Sequence, residues 1–244
     1  MAEWNEQQRS QQQGFTGASV PRTGEVFDEG LRKHMLSIYN YMTSGILLTG
    51  VVALLTARSG LAATFASGPM MWLVALSPLA IVMAMSFGQN KFSRGTLQMM
   101  FWGFAILMGL SLSTIFLVYT GASIAATFFA TAGAFAGLSL YGYTTKKDLS
   151  GWGSFLIMGV IGLIIASVIN MFLGSSTMEL VISFLGVLIF AGLTAYDTQR
   201  LKTEYSMYRG TEYAGKAIIL GALSLYLDFI NMFLFLLRFM GSRE

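Results

Sequence analysis

The sequence predicts an all-α integral membrane protein, a bundle of seven transmembrane helices, and three observations carry that prediction. Of the 244 residues, 55% are hydrophobic and only 11% are charged, where a soluble domain carries roughly 25% charged residues. The charges gather in short patches between long runs that hold almost none, so lipid must solvate most of the apolar surface. Seven of those runs fall near the ~20 mostly apolar residues that a helix needs to cross the hydrocarbon core.

Residues 1–34 are polar, Gln-rich between Gln7 and Gln13, and lack periodic apolar positions. They read as a disordered N-terminal tail. The first apolar run, Met35–Ala57, is too long for a signal-peptide core and reads as a retained span. Further spans are expected at about 71–87, 97–119, 122–143, 153–173, 180–196 and 214–240, making 35–244 one transmembrane domain. Gly68-Pro69 breaks the chain before the second span. Gly121 permits a tight turn, and hence an antiparallel hairpin, between the third and fourth. Gly133 and Gly137 form a small-xxx-small pair in the fourth span, read as a helix-packing face.

The basic residues sort by loop. Arg22, Arg32, Lys33, Lys91, Arg94, Lys146, Lys147, Arg200, Lys202 and Arg209 fall on one side, and Arg58, Arg238 and Arg243 on the other. The positive-inside rule then places the N-terminus in the cytoplasm. The side of the C-terminus stays open, because a final segment that dips in and returns would improve the bias.

Several function classes are excluded. Without cysteine there is no disulfide, thiol catalysis or thiolate metal site, and the single His34 lies outside the expected spans. The net charge of +3 reads as loop asymmetry across a membrane and not as a nucleic-acid footprint. No Gly-rich phosphate loop, Ser/His/Asp set or His-Glu-x-x-His occurs, so neither an enzyme nor an organic cofactor is expected.

Asp228 lies near the middle of the last apolar run. An acid at mid-bilayer costs roughly 2.5–3.5 kcal/mol on insertion scales, so it should face the bundle interior or water. Gly221, Ser224, Asp228 and Asn231 recur at helical spacing and share that face. It reads either as an ion or proton site or as a neutral carboxyl gluing helices together. Asp197 ends the sixth span on the face of Ser183, Gly186, Phe190 and Thr194, and by spacing alone is either a solvated boundary residue or a member of the same site. Asn170 in the fifth span adds an uncharged polar group for the interior or for a neighbouring helix. Asp148 reads as a loop charge beside two lysines, and Glu179 as an interfacial residue near the positive end of its helix. An intramembrane aspartyl protease would need a Gly-x-Gly before its second aspartate. Here Tyr226-Leu227 precedes Asp228, and no Pro-Ala-Leu follows.

Three segments carry a family resemblance: Ser139-Leu-Tyr-Gly-Tyr-Thr-Thr-Lys-Lys-Asp-Leu-Ser150, Gly192-Leu-Thr-Ala-Tyr-Asp-Thr-Gln199 and Gly221-Ala-Leu-Ser-Leu-Tyr-Leu-Asp-Phe-Ile-Asn231. In order and context they resemble the Bax inhibitor-1 family, particularly its bacterial YccA-like branch, from about residue 30 to the C-terminus. The resemblance implies a seven-helix fold with the last helix surrounded by the others. It also implies a pH-dependent calcium leak gated by two aspartates, here Asp197 and Asp228, in a bacterial inner (plasma) membrane. A basic residue between the second and third helices would lock the sixth-helix aspartate, and Lys91 or Arg94 are the candidates. The second span holds no acidic residue, unlike that of some members.

Two ionised carboxylates ~4 Å apart repel by ~4 kcal/mol at an effective dielectric of 20. One therefore holds a proton near neutral pH unless a cation neutralises the pair. With Asn231, Ser224, carbonyls and water, the pair would form a weak transient calcium site. The alternative function is an interaction protein that modulates a membrane-bound ATP-dependent protease or a stress or cell-death pathway. That reading follows from the resemblance, with the N-terminal tail as the feature to examine.

Overall fold

The computed structural model describes residues 23–243. Their helices in order are α1 (Thr23–Arg58), the short α2 (Leu61–Phe65), α3 (Gly68–Gly88), α4 (Arg94–Leu112), α5 (Gly121–Thr144), α6 (Ser150–Leu173), α7 (Ser176–Tyr208) and α8 (Ala214–Met240). A 3-10 turn, Ser113–Leu117, extends α4. Among the described residues seven helices, all but α2, are long and apolar enough to cross a membrane.

Local chemistry sets the helix starts. The side chains of Ser93, Thr120 and Ser175 accept the backbone N–H groups of Thr96, Ser123 and Met178, capping α4, α5 and α7. α3 begins at Gly68, whose φ of 60° suits glycine, with Pro69 in its first turn where a missing N–H costs nothing.

Two boundaries differ from the sequence reading, both because a helix continues past its apolar run. The polar stretch 23–34 is helical and forms the start of α1, while the rest of the expected tail, residues 1–22, lies outside the described residues. His34 consequently sits inside the first spanning helix, 7% exposed, with its ring 5.2 Å from that of Tyr205. The sixth span does not stop at Tyr196 but runs to Tyr208. At 1.5 Å per residue α7 is ~50 Å long, against a hydrocarbon core of ~30 Å.

The last helix is the axis of the bundle. In its most apolar 18-residue window 61% of positions are buried inside the protein, against 11% in α3 and in α6. α8 packs on α7 most extensively and also on α1, α5 and α4, whereas α6 leans on α7 and α3 on α4 at the periphery. α8 is unbroken, which removes the dip-and-return alternative. Its C-terminal end lies at the end of the bundle where Arg243 bridges Tyr119 and pairs with Glu179 at 2.8 Å. The opposite end gathers the start of α1, the 88–94 turn, the 145–150 loop and the 208–214 loop. There Tyr213 donates to Gln89 at 2.7 Å, and Leu149 N–H donates to Gln199 at 2.8 Å.

One hydrogen-bond chain pins the axis to two neighbours. The Thr49 hydroxyl donates to the Ala105 carbonyl at 2.8 Å, so the Tyr226 hydroxyl, 2.7 Å from Thr49, must be the donor in their contact. Tyr226 is fully buried, edge-on to Phe101 and Phe104. Tyr226→Phe removes one such bond while Thr49 keeps its carbonyl partner, so it should cost about 1 kcal/mol. Thermal unfolding in detergent checks this.

Helix α5 corrects the small-residue reading. Gly133 and Gly137 face outward, and a Cβ on either would meet nothing within 4 Å. The buried face of α5 is instead Ile124, Thr127, Thr131, Phe135, Ser139 and Gly142. At Gly142 a Cβ would lie 2.2 Å from the Ala195 carbonyl oxygen of α7.

Candidate functional site

The site is built on facing turns of α7 and α8. The face of Ser183, Gly186, Phe190, Thr194 and Asp197 is buried along α7, as its spacing indicated. Asp197, 5% exposed, is inside the protein with a further three turns of helix beyond it. It is therefore not a solvated boundary residue.

Asp197 is held from two sides. Arg200, one turn on, brings Nη1 to 3.2 Å from its Oδ1, and the Ser224 hydroxyl of α8 donates to its Oδ2. Arg200 Nη2 in turn donates to Ser224 Oγ at 3.1 Å, and Arg200 Nε lies 3.5 Å from Glu204 Oε1. One guanidinium thus serves two carboxylates of its own helix and a hydroxyl of the next. The i,i+3 and i,i+4 spacing makes this possible, since such residues are neighbours on one helical face.

Asp228 sits one turn beyond Ser224 along α8, near the middle of that helix and 4% exposed. Ser224, one turn earlier on the same helix, is the residue that ties this part of α8 to Asp197. Among the described residues the Asp228 Oδ2 is buried without a hydrogen-bond partner. A buried acceptor left unpaired costs about 1–3 kcal/mol, more when charged, so this oxygen is suited to a proton or a cation. Across the mid-plane, toward the Arg243 end, Phe229, Met232, Phe233 and Leu237 are buried and the Phe190 and Phe235 rings stack at 5.8 Å. Toward the other end a cavity of about 390 Å³ runs from Gln89, Tyr208 and Tyr213 to Arg200 and Ser224. The cavity thus reaches the guanidinium from that end, while buried apolar side chains pack on the other side of Asp228.

The remaining sequence candidates separate from this centre. Ser224 belongs to it. Asn231 is half-buried and donates to the Leu227 carbonyl of its own helix at 2.8 Å. Asn170 accepts the Ser175 N–H at 3.1 Å and so shapes the α6–α7 turn at the Arg243 end. The cation on Asp197 is Arg200, not Lys91 or Arg94. Among the described residues neither of those enters an ion pair, Lys91 is exposed, and the Arg94 side chain lies against Gly215. The reason is geometric: a residue one helical turn away reaches Asp197 without crossing the α3–α4 turn. Arg200, counted from sequence only for topology, and Glu204 are the members of this cluster that the sequence reading did not place in it. The spacing Asp197, Arg200, Glu204 was the available signal. Among the described residues no three His, Cys, Asp or Glu side chains cluster as a metal site. Outside the spans, Asp148 accepts the Ser150 N–H at 2.9 Å at the start of α6, and Ser150, through hydroxyl and amide, holds its carboxyl below the usual carboxylate range.

The chain is matched over residues 31–244 by the model of the family described as inhibitor of apoptosis-promoting Bax1. It is 47% identical over 230 residues to the inner membrane protein YbhL of Escherichia coli K12, covering 92% of this chain and 98% of the relative. It is 45% identical to the protein RP147 of Rickettsia prowazekii, covering 90% and 94%. A protein of Caulobacter vibrioides shares 48% identity, covering 93% and 96%.

Proposed function

We propose that this chain, which belongs to the Bax inhibitor-1 family, is a pH-sensitive leak for cations, calcium foremost, gated by Asp197 and Asp228. The observation that carries the reading is the Oδ2 of Asp228, buried mid-helix with no hydrogen-bond partner among the described residues, one turn from the Ser224 that holds Asp197. With every group ionised, Asp197, Asp228 and Glu204 around Arg200 carry two net negative charges, the complement of one divalent cation. Protonation of one aspartate removes half of that attraction. Calcium takes oxygen ligands; the two aspartates with the Ser224 hydroxyl between them offer few, a transit site and not a tight one, and the cavity that reaches Ser224, Arg200 and Glu204 would bring water toward it. On this reading the buried aromatic side chains beyond Asp228 would hold the path shut. The basic loops sit at the end where the cavity opens, so the positive-inside rule makes that end cytoplasmic. The bilayer is then a bacterial inner membrane, as for YbhL.

The test is calcium flux into dye-loaded liposomes containing the purified chain. Flux should rise from about pH 5 to about pH 8 as the pair ionises. Asp197→Asn and Asp228→Asn should each lower the high-pH flux at least about tenfold, the consequence of losing ~1.4 kcal/mol of cation attraction. A pH-dependent flux that both variants leave unchanged removes the pair from the mechanism.

A further inference from the structure

A second cavity, about 710 Å³ and almost wholly apolar, opens sideways between α1 and α5. Both helices pack on α8, yet they make hardly any contact with each other. The cleft between them therefore reaches the axis of the bundle, and Phe229 of α8 lines its floor beside the buried Asp228. Met35, Tyr39 and Met42 form one wall and Phe128, Phe135 and Tyr143 the other.

The cleft has a polar end. On α1 it runs from Arg32 to Leu47 and on α5 from Tyr143 back to Phe128, ~22 Å along each helix at 1.5 Å per residue. That length spans one leaflet of hydrocarbon, ~15 Å, with its interface. Arg32 stands at the interface end, exposed, and among the described residues no carboxylate pairs with it. At the same end Lys202 donates to the Tyr143 carbonyl at 2.7 Å and lies 5.1 Å above its ring. A continuous apolar slot of leaflet length, headed by a guanidinium that no carboxylate among the described residues pairs with, is complementary to a phospholipid with an anionic headgroup.

We propose that this cleft is a binding site for one anionic phospholipid, an acyl chain lying against Phe229 and the phosphate on Arg32. The lipid would complete the wall of the bundle that α1 and α5 leave open. The site is independent of the leak reading, and its test reads binding alone.

Native mass spectrometry of the purified full chain, with added dioleoylphosphatidylglycerol or dioleoylphosphatidylcholine, decides the matter. One phosphatidylglycerol should be retained per chain in preference to phosphatidylcholine, and free glycerol phosphate should not displace it, because it lacks the chain that fills the slot. Arg32→Gln, an exposed substitution, should weaken phosphatidylglycerol binding about fivefold, the worth of one basic residue at an anionic surface, and leave phosphatidylcholine unchanged. Ala136→Trp, which fills the slot from its α5 wall, should abolish retention of both. Equal binding of the two lipids overturns the proposal, as does phosphatidylglycerol binding that neither variant alters. It is equally overturned by a dimer that Ala136→Trp separates, or by lipid binding that appears only after residues 1–22 are deleted, since another occupant would then own the cleft. If Ala136→Trp fails to fold, the Arg32→Gln arm still decides.

Discussion

Arg200→Gln should raise calcium flux in liposomes at pH 7.5 by about tenfold over the native chain. Glutamine keeps a hydrogen-bonding side chain of similar reach but takes away the charge that occupies Asp197. The size of the effect follows from burial. The Asp197 side chain is 8% exposed and that of Arg200 37%, so the pair lies between surface ion pairs worth about 0–1 kcal/mol and buried ones whose rupture costs about 3–5 kcal/mol. An intermediate ~1.4 kcal/mol released to an incoming cation corresponds to one decade.

The sign of the pH response separates a lock from a mere structural pair. Removing the guanidinium withdraws a charge that favours the ionised carboxylates, so the flux–pH curve of Arg200→Gln should move toward alkaline pH even as its plateau rises. Arg200→Lys should fall between the two proteins. Lysine restores the charge, but one ammonium cannot present the fork that meets Asp197, Glu204 and Ser224 together. A folded Arg200→Gln protein with native or lower flux would show that the guanidinium does not hold the path closed.

The fold was largely legible because composition and apolar run length are local properties of a membrane helix. All seven spans have their counterparts, and the centrality of α8, expected from the family resemblance, corresponds to its burial. What sequence reading lost lay where a helix outlives its hydrophobicity. α7 carries Asp197, Arg200 and Glu204 past the apolar run, because intrahelical hydrogen bonds and packing on α8 sustain it, so Asp197, whose spacing alone left a loop-edge position open, is interior. Basic residues posed a related problem, since one Arg serves either as a topology marker or as a counter-ion. Its helical offset from Asp197, not its loop, distinguishes the two. Gly133 and Gly137 misled for another reason: a spacing motif identifies a face but not which neighbour, if any, that face meets.

That last distinction yields an opposed pair of expectations within one helix. Gly142→Ala places a methyl 2.2 Å from the Ala195 carbonyl oxygen, against backbone that no rotamer change can move aside. α5 and α7 must separate, at a cost of about 1–3 kcal/mol for overpacking, or roughly 2–10 °C in Tm for a chain of this size. Because Ala195 lies two residues before Asp197, the separation also disturbs the helix that presents the carboxylate, so the pH profile of flux should change with stability. Gly137→Ala meets open space and removes a helix-interior glycine, which should leave stability unchanged or raise it by up to ~1 kcal/mol. Thermal unfolding of both variants in the same detergent gives the comparison. If Gly137→Ala is the damaging one, the outward face of α5 is a helix interface between molecules, and the close α5–α7 approach is not what sets the position of Asp197.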